Sequence, residues 1–138
     1  MKKLWIALLT MLLIVVSVGT ALSASSKPPS TNFVKVYTKD NVTVEVDLKN
    51  IIFHKLDDKI ALEFVSRLTD ERTNKIVISK MYVIPDVNKF RILEYAIIDS
   101  KKGIVTDSST KVGDWKPYTD DSIVAQCVNY IINNKKSE

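Results

Sequence analysis

Glycine occurs only three times in the 138 residues, at Gly19, Gly103 and Gly113. Loops that cradle phosphate need glycines a few positions apart so that the backbone can close on the anion, and this spacing excludes them. Histidine occurs once, as His54 in "IIFHKLDD", so a hydrolytic dyad or triad has a single candidate base. Asp57 and Asp58 are its nearest carboxylates in sequence, and an enzyme, if there is one, would be centred on these three residues. Cysteine also occurs once, as Cys127. One cysteine forms no intramolecular bridge and no thiolate metal cluster, and "LDDK" alone is too sparse a ligand set for a metal. No catalytic, cofactor-binding or metal-ligating set is therefore expected.

Charge excludes a further class. Lys and Arg number 20 against 16 Asp and Glu, a formal +4. Lys101 with Lys102 and Lys135 with Lys136 form pairs rather than a stripe, and no Arg-rich or aromatic-interleaved patch occurs, so nucleic acid is not an expected partner.

The opening "MKKLWIALLTMLLIVVSVGTALSA" has two lysines, an apolar run and then small residues, the layout of a secretory signal. Cleavage is expected after Ser23 or Ala24. The loss of Lys2 and Lys3 would leave a charge of +2. The competing reading is an uncleaved anchor, since Leu4 to Leu22 approaches the roughly 20 residues a bilayer needs. Residues 25–32, "SSKPPSTN", have no large apolar side chain and read as an extended linker. The domain is expected over residues 33–134.

From Phe33 the hydrophobic period is two. "VTVEVDL" alternates Val42, Val44, Val46 and Leu48 with Thr43, Glu45 and Asp47, the pattern of a half-buried strand. "KIALEFVSRL" repeats it with Ile60, Leu62, Phe64 and Leu68 directed inward. "KIVISKMYVI" and "KFRILEYAII" are apolar on both faces, as in central strands or strands crossed by a helix, whereas "FVKVYT" and "IVTDSS" read as flanking strands. Polar turns separate the runs, and Gly103 is suited to a positive-φ position closing a hairpin. Six strands with short connections make an antiparallel sheet the expectation.

The period changes only at the end. Ile123, Cys127 and Ile131, joined by Val124, Val128 and Ile132, form a broad apolar face opposite Ser122, Gln126, Asn129 and Asn133, which predicts a helix packed on the sheet. Asp120, Asp121 and Ser122 are cap candidates. Cys127 is expected to be buried and unbridged. Trp115 is expected to be buried between helix and sheet, with Pro117 directing the chain toward the helix cap.

Three stretches resemble the surface-adhesin protein E family of exported bacterial proteins. "VTVEVDLKNI" resembles a strand ending in Asp, here Asp47. "KFRILEYAIIDSKKGIV" resembles a strand, turn and strand carrying Arg91 and Gly103. "WKPYTDDS" resembles the family's Trp, Pro and helix-opening Ser, here Trp115, Pro117 and Ser122. Asp120 and Asp121 stand where family members often have Pro-Gly. Many members bridge a cysteine before the fifth strand to one late in the final helix. Val87 stands near the first position and Cys127 lies too early for the second, so no disulfide is expected. The resemblance implies an α+β fold, a single six-stranded antiparallel sheet with one C-terminal helix on one face. It also implies an exported, non-enzymatic adhesin-like module. Its partner would be a protein, such as a host matrix or plasma protein or an envelope component, and membrane contact would be limited to the signal or anchor segment. The alternatives are an envelope structural or assembly protein and an enzyme with a site near His54. For a protein partner, the surface expected to engage it is the bare face of the sheet, bearing Thr43, Glu45, Asp47, Glu63, Val65 and Arg67, or an edge strand.

Overall fold

The computed structural model describes residues 32–136. The signal or anchor segment and most of the linker lie outside the described residues. The elements in chain order are β1 (Phe33–Lys39), β2 (Val42–Asp47), β3 (Ile52–Leu56), β4 (Lys59–Asp70), β5 (Lys75–Ile84), β6 (Lys89–Asp99), β7 (Ile104–Ser109), β8 (Lys116–Pro117) and the helix α1 (Ile123–Lys136). All strand pairing is antiparallel, in the order β1-β2-β4-β5-β6-β7, with β3 paired to β4 and the two-residue β8 paired to β6.

Turn chemistry accounts for the short connections. Asp40 and Asn41 both adopt positive φ (51° and 67°) between β1 and β2, the twist-compatible geometry of a two-residue hairpin. Asp57 does so at the β3–β4 turn and Gly103 (φ 67°) before β7, as its position in "DSKKG" predicts. Pro85 to Val87 form a 3-10 turn closed by Asn88 in the left-handed region.

The β2–β3 connection is less regular. β2 pairs residues 66–70 of β4 and β3 pairs residues 59–63, so both run along the same side of β4. The 3-10 turn Leu48–Asn50 inserts between them, held by Asp47, whose carboxylate accepts from Lys49 N (3.1 Å) and Asn50 Nδ2 (2.6 Å). The segment after this turn carries a strand beyond the six runs read from the sequence, and His54 lies in its middle.

Helix α1 covers one face of the sheet. Val124, Cys127, Val128 and Ile131 pack with Val44, Val46, Leu62, Phe64, Met81 and Val83, which the period-two pattern directs to the same side. Ser122 caps the helix: its Oγ accepts from Ala125 N (3.2 Å) and donates to the Thr119 carbonyl (2.7 Å). Two inward positions differ from expectation. Ile60 is 56% exposed, because the β3–β4 hairpin projects past the end of the helix. Ser66 occupies the inward place between Phe64 and Leu68 and is itself buried.

Candidate functional site on the bare face

The strand pairings Ile52–Glu63–Tyr82–Arg91 and His54–Ala61 place all these residues on the face opposite α1. Ala61 is fully buried although no helix covers it. The rings beside it explain this: His54 lies 5.2 Å from Tyr82, and Tyr82 lies 5.7 Å from Trp115 in an edge-to-face contact. Three rings thus form a row across the sheet from the β3 edge to the β6 edge.

Trp115 completes the row from outside the sheet. Gly113 N donates to the Ile92 carbonyl (2.8 Å), and Arg91 Nε donates to the Gly113 carbonyl (3.1 Å). A side chain at Gly113 would press on Ile92 O, 3.4 Å from an added Cβ. This close approach turns the chain along the β6 edge, where Lys116 and Pro117 pair with Phe90 and Lys89. Trp115 falls on the bare face with its ring 4.8 Å from the Arg91 guanidinium. Tyr118, three residues on, falls on the helix side against Phe90. Trp115 is 38% exposed, so the expectation that it is buried beneath the helix is corrected. The strand pairing sends it to the other face, where Arg91 and Tyr82 hold it.

Charges tie the row to the sheet. The Glu63 carboxylate accepts from His54 Nε2 (2.8 Å) and from Lys80 Nζ (3.1 Å). Burial pushes the Glu63 carboxyl up, but the hydrogen bonds from His54 and Lys80 and the positive charges near it outweigh burial and leave it below its ordinary value. An ionised carboxylate only accepts, so Nε2 carries the proton in this pair. The carboxylate partner of His54 is thus Glu63 on β4, not Asp57 or Asp58 of the adjoining turn. A second pair lies further along the face: Arg67 Nη2 donates to Glu45 Oε2 (2.7 Å), and its guanidinium sits 4.5 Å from the Phe33 ring. Glu45 is thus engaged by Arg67, while Asp47 on the same face is engaged by the 3-10 turn.

The residues singled out in the sequence therefore separate. Arg91 and Trp115 meet in the row, and Pro117 supports it through β8. Asp47, Gly103 and Ser122 serve a turn, a hairpin and a helix cap elsewhere. Lys80 and Tyr82, which the sequence reading did not single out, hold the centre. Their only signal was parity, the alternate positions to Met81 and Val83 in "KIVISKMYVI".

Chemically, the site offers aromatic faces, a guanidinium and an imidazole hydrogen-bonded to a carboxylate. Cys127 lies on the opposite side of the sheet, fully buried, its thiol pushed up to about 12 by burial. Two shallow hollows adjoin the β3–β4 hairpin. One, about 380 Å³, surrounds its tip at His54, Lys55, Asp57 and Ile60. The other, about 300 Å³, lies on the helix side between Phe53, Ile60, Pro85 and Ile132. Among the described residues, no cluster of His, Cys, Asp or Glu is placed to hold a metal ion, and no helix is long and apolar enough to cross a membrane. Compared with family models, with curated proteins and with solved structures, the chain finds no match.

Proposed function

We propose that this protein is an exported, non-enzymatic binding module of the surface-adhesin E type that engages a protein partner through the bare face of its sheet. The observation that carries the reading is the row His54–Tyr82–Trp115 with Arg91 against its end. Trp, Tyr and Arg are the residues through which protein interfaces gain most of their binding energy. Here Tyr82 and Arg91 are set opposite each other by strand pairing, and Trp115, in contact with both, remains open to solvent. The surface is broad and shallow, which suits a protein contact better than an enclosed small substrate. The signal-like leader and the family resemblance support an envelope or extracellular setting.

The test is capture of partners from envelope and host-matrix extracts, followed by measurement of the captured partner's affinity for variants. Trp115→Ala and Tyr82→Ala should each weaken binding by about tenfold or more, with Cys127→Ala unchanged. If a partner binds both variants as tightly as the parent, the bare face is not the contact surface. If instead His54→Ala and Glu63→Gln abolish a turnover that Trp115→Ala leaves intact, the protein is an enzyme.

A further inference from the structure

Three strands, β1, β3 and β7, each leave one side unpaired, and they are not treated alike. Edge strands expose unpaired backbone donors and acceptors, and proteins normally blunt them with bulges and charges. β1 carries a bulge at Val36 and bears Lys35 and Lys39. β7 carries a bulge at Thr106, whose hydroxyl turns back to the Ile97 carbonyl (3.2 Å), and bears Asp107. β3 has no bulge, and Lys55 is its one lysine. It pairs in unbroken register with β4 from Ile52–Glu63 to Leu56–Lys59, and among the described residues no backbone group pairs with its outer side.

Its side chains add to this. Ile52, Phe53 and Leu56 are 50%, 44% and 38% exposed. Ile52 and Leu56 lie on the bare face, continuous with His54 and the ring row. Phe53 lies on the helix side at the mouth of the 300 Å³ groove. Lys55 follows Phe53 on that side, and the Lys135 ammonium stands 5.9 Å from the Phe53 ring. A strand laid along β3 would alternate its side chains between these two surfaces. On one side it would meet Ile52 and Leu56. On the other it would meet Phe53 and the groove, which Asp86 also lines, with Lys55 beside them along the strand.

We propose that β3 is a strand-addition site that takes an extended segment of a partner protein carrying apolar and acidic side chains. Main-chain hydrogen bonds to the outer side of β3 supply affinity, and Phe53, its groove and the exposed Lys55 select the side chains. This deepens the binding-module reading and rests on it: the same partner that covers the ring row reaches the edge at His54.

The test uses a synthetic peptide alternating valine with glutamate, long enough to pair the five residues of β3, and the purified protein. Bound peptide should slow amide hydrogen exchange at residues 52–56. Phe53→Lys should weaken peptide binding by about tenfold or more with only a small fall in melting temperature, because Phe53 lies outside the buried core. Lys55→Glu should turn the preference toward a peptide with lysine in place of glutamate. N-methylation of every second peptide residue should abolish binding in one phase and spare it in the other, since an added strand bonds through one side only. Trp115→Ala should leave peptide binding intact, so a failure of the ring-row reading is seen separately from a failure at the edge. Exchange at β3 unchanged by the peptide would overturn the proposal. Protection that grows with protein concentration in the absence of peptide would also overturn it, assigning the edge to a second copy of the chain.

Discussion

The guanidinium of Arg91 lies 4.8 Å from the centre of the Trp115 ring, on the side of the sheet away from the helix. One contact thus places the indole of a loop residue over a strand to which it has no backbone pairing of its own. It also converts a residue expected in the core into the most exposed member of an aromatic row.

Trp115→Ala should therefore destabilise the protein only modestly. An edge-to-face aromatic pair contributes about 0.5–1.5 kcal/mol beyond the area it buries and an exposed cation–π contact about 0.5–1 kcal/mol, so with the partial burial of the indole added a loss of about 2–3 kcal/mol is expected from urea unfolding. A loss of about 3–5 kcal/mol, the range for a fully buried aromatic, would mean that the indole packs in the core.

Phe64→Ala provides the comparison. Phe64 is 1% exposed between β4 and the helix, and its removal leaves a cavity that rigid strands close poorly. The expected cost is about 3–5 kcal/mol, read as a lower urea midpoint with an unchanged slope.

Acid should weaken the fold through Glu63. Its carboxyl is held below the ordinary value of 4.5 by His54 and Lys80. The stabilisation is then fully present above about pH 4.5 and is lost as pH falls through the lower folded-state value. Asp70 and Asp99 are displaced in the same direction by backbone hydrogen bonds and nearby positive charge. Unfolding midpoints from pH 7 down to pH 3 should fall less steeply for Glu63→Gln than for the parent. Parallel curves would show that the ion pairs on this face contribute nothing to acid sensitivity.

Cys127 should be inert in the native state and should sensitise the fold to alkali. Burial pushes its thiol from 9.0 up to about 12, so the unfolded chain releases a proton that the folded chain keeps. Stability from this group is complete below about pH 9 and is lost as pH rises toward 12. A thiol reagent at pH 8 should label the protein only in denaturant. Labelling at the rate of a small-molecule thiol without denaturant would place Cys127 outside the core.

Much of the fold was legible because burial imposes periodicity. The alternation of Val42, Val44 and Val46, and of Leu62 and Phe64, exists because one face of each strand meets the helix. The four-residue recurrence of Ile123, Cys127 and Ile131 exists because one stripe of the helix meets those strands. Each is a local pattern with one physical cause. Ile60 continues the same alternation yet is exposed, because the pattern does not record where the helix ends.

The sequence alone determined the α+β antiparallel architecture, the positive-φ turn at Gly103, a helix cap within Asp120–Ser122 and the buried, unbridged Cys127, each from patterns legible along the chain. Only the tertiary structure decided that His54 belongs to a strand, that its partner is Glu63 and not Asp57 or Asp58, and that Trp115 stacks on Arg91 on the bare face. Those relationships depend on strand register between segments well separated along the chain. A shift of one residue in register would send every one of these side chains to the opposite face, and no local pattern in this sequence records which register the assembled sheet adopts.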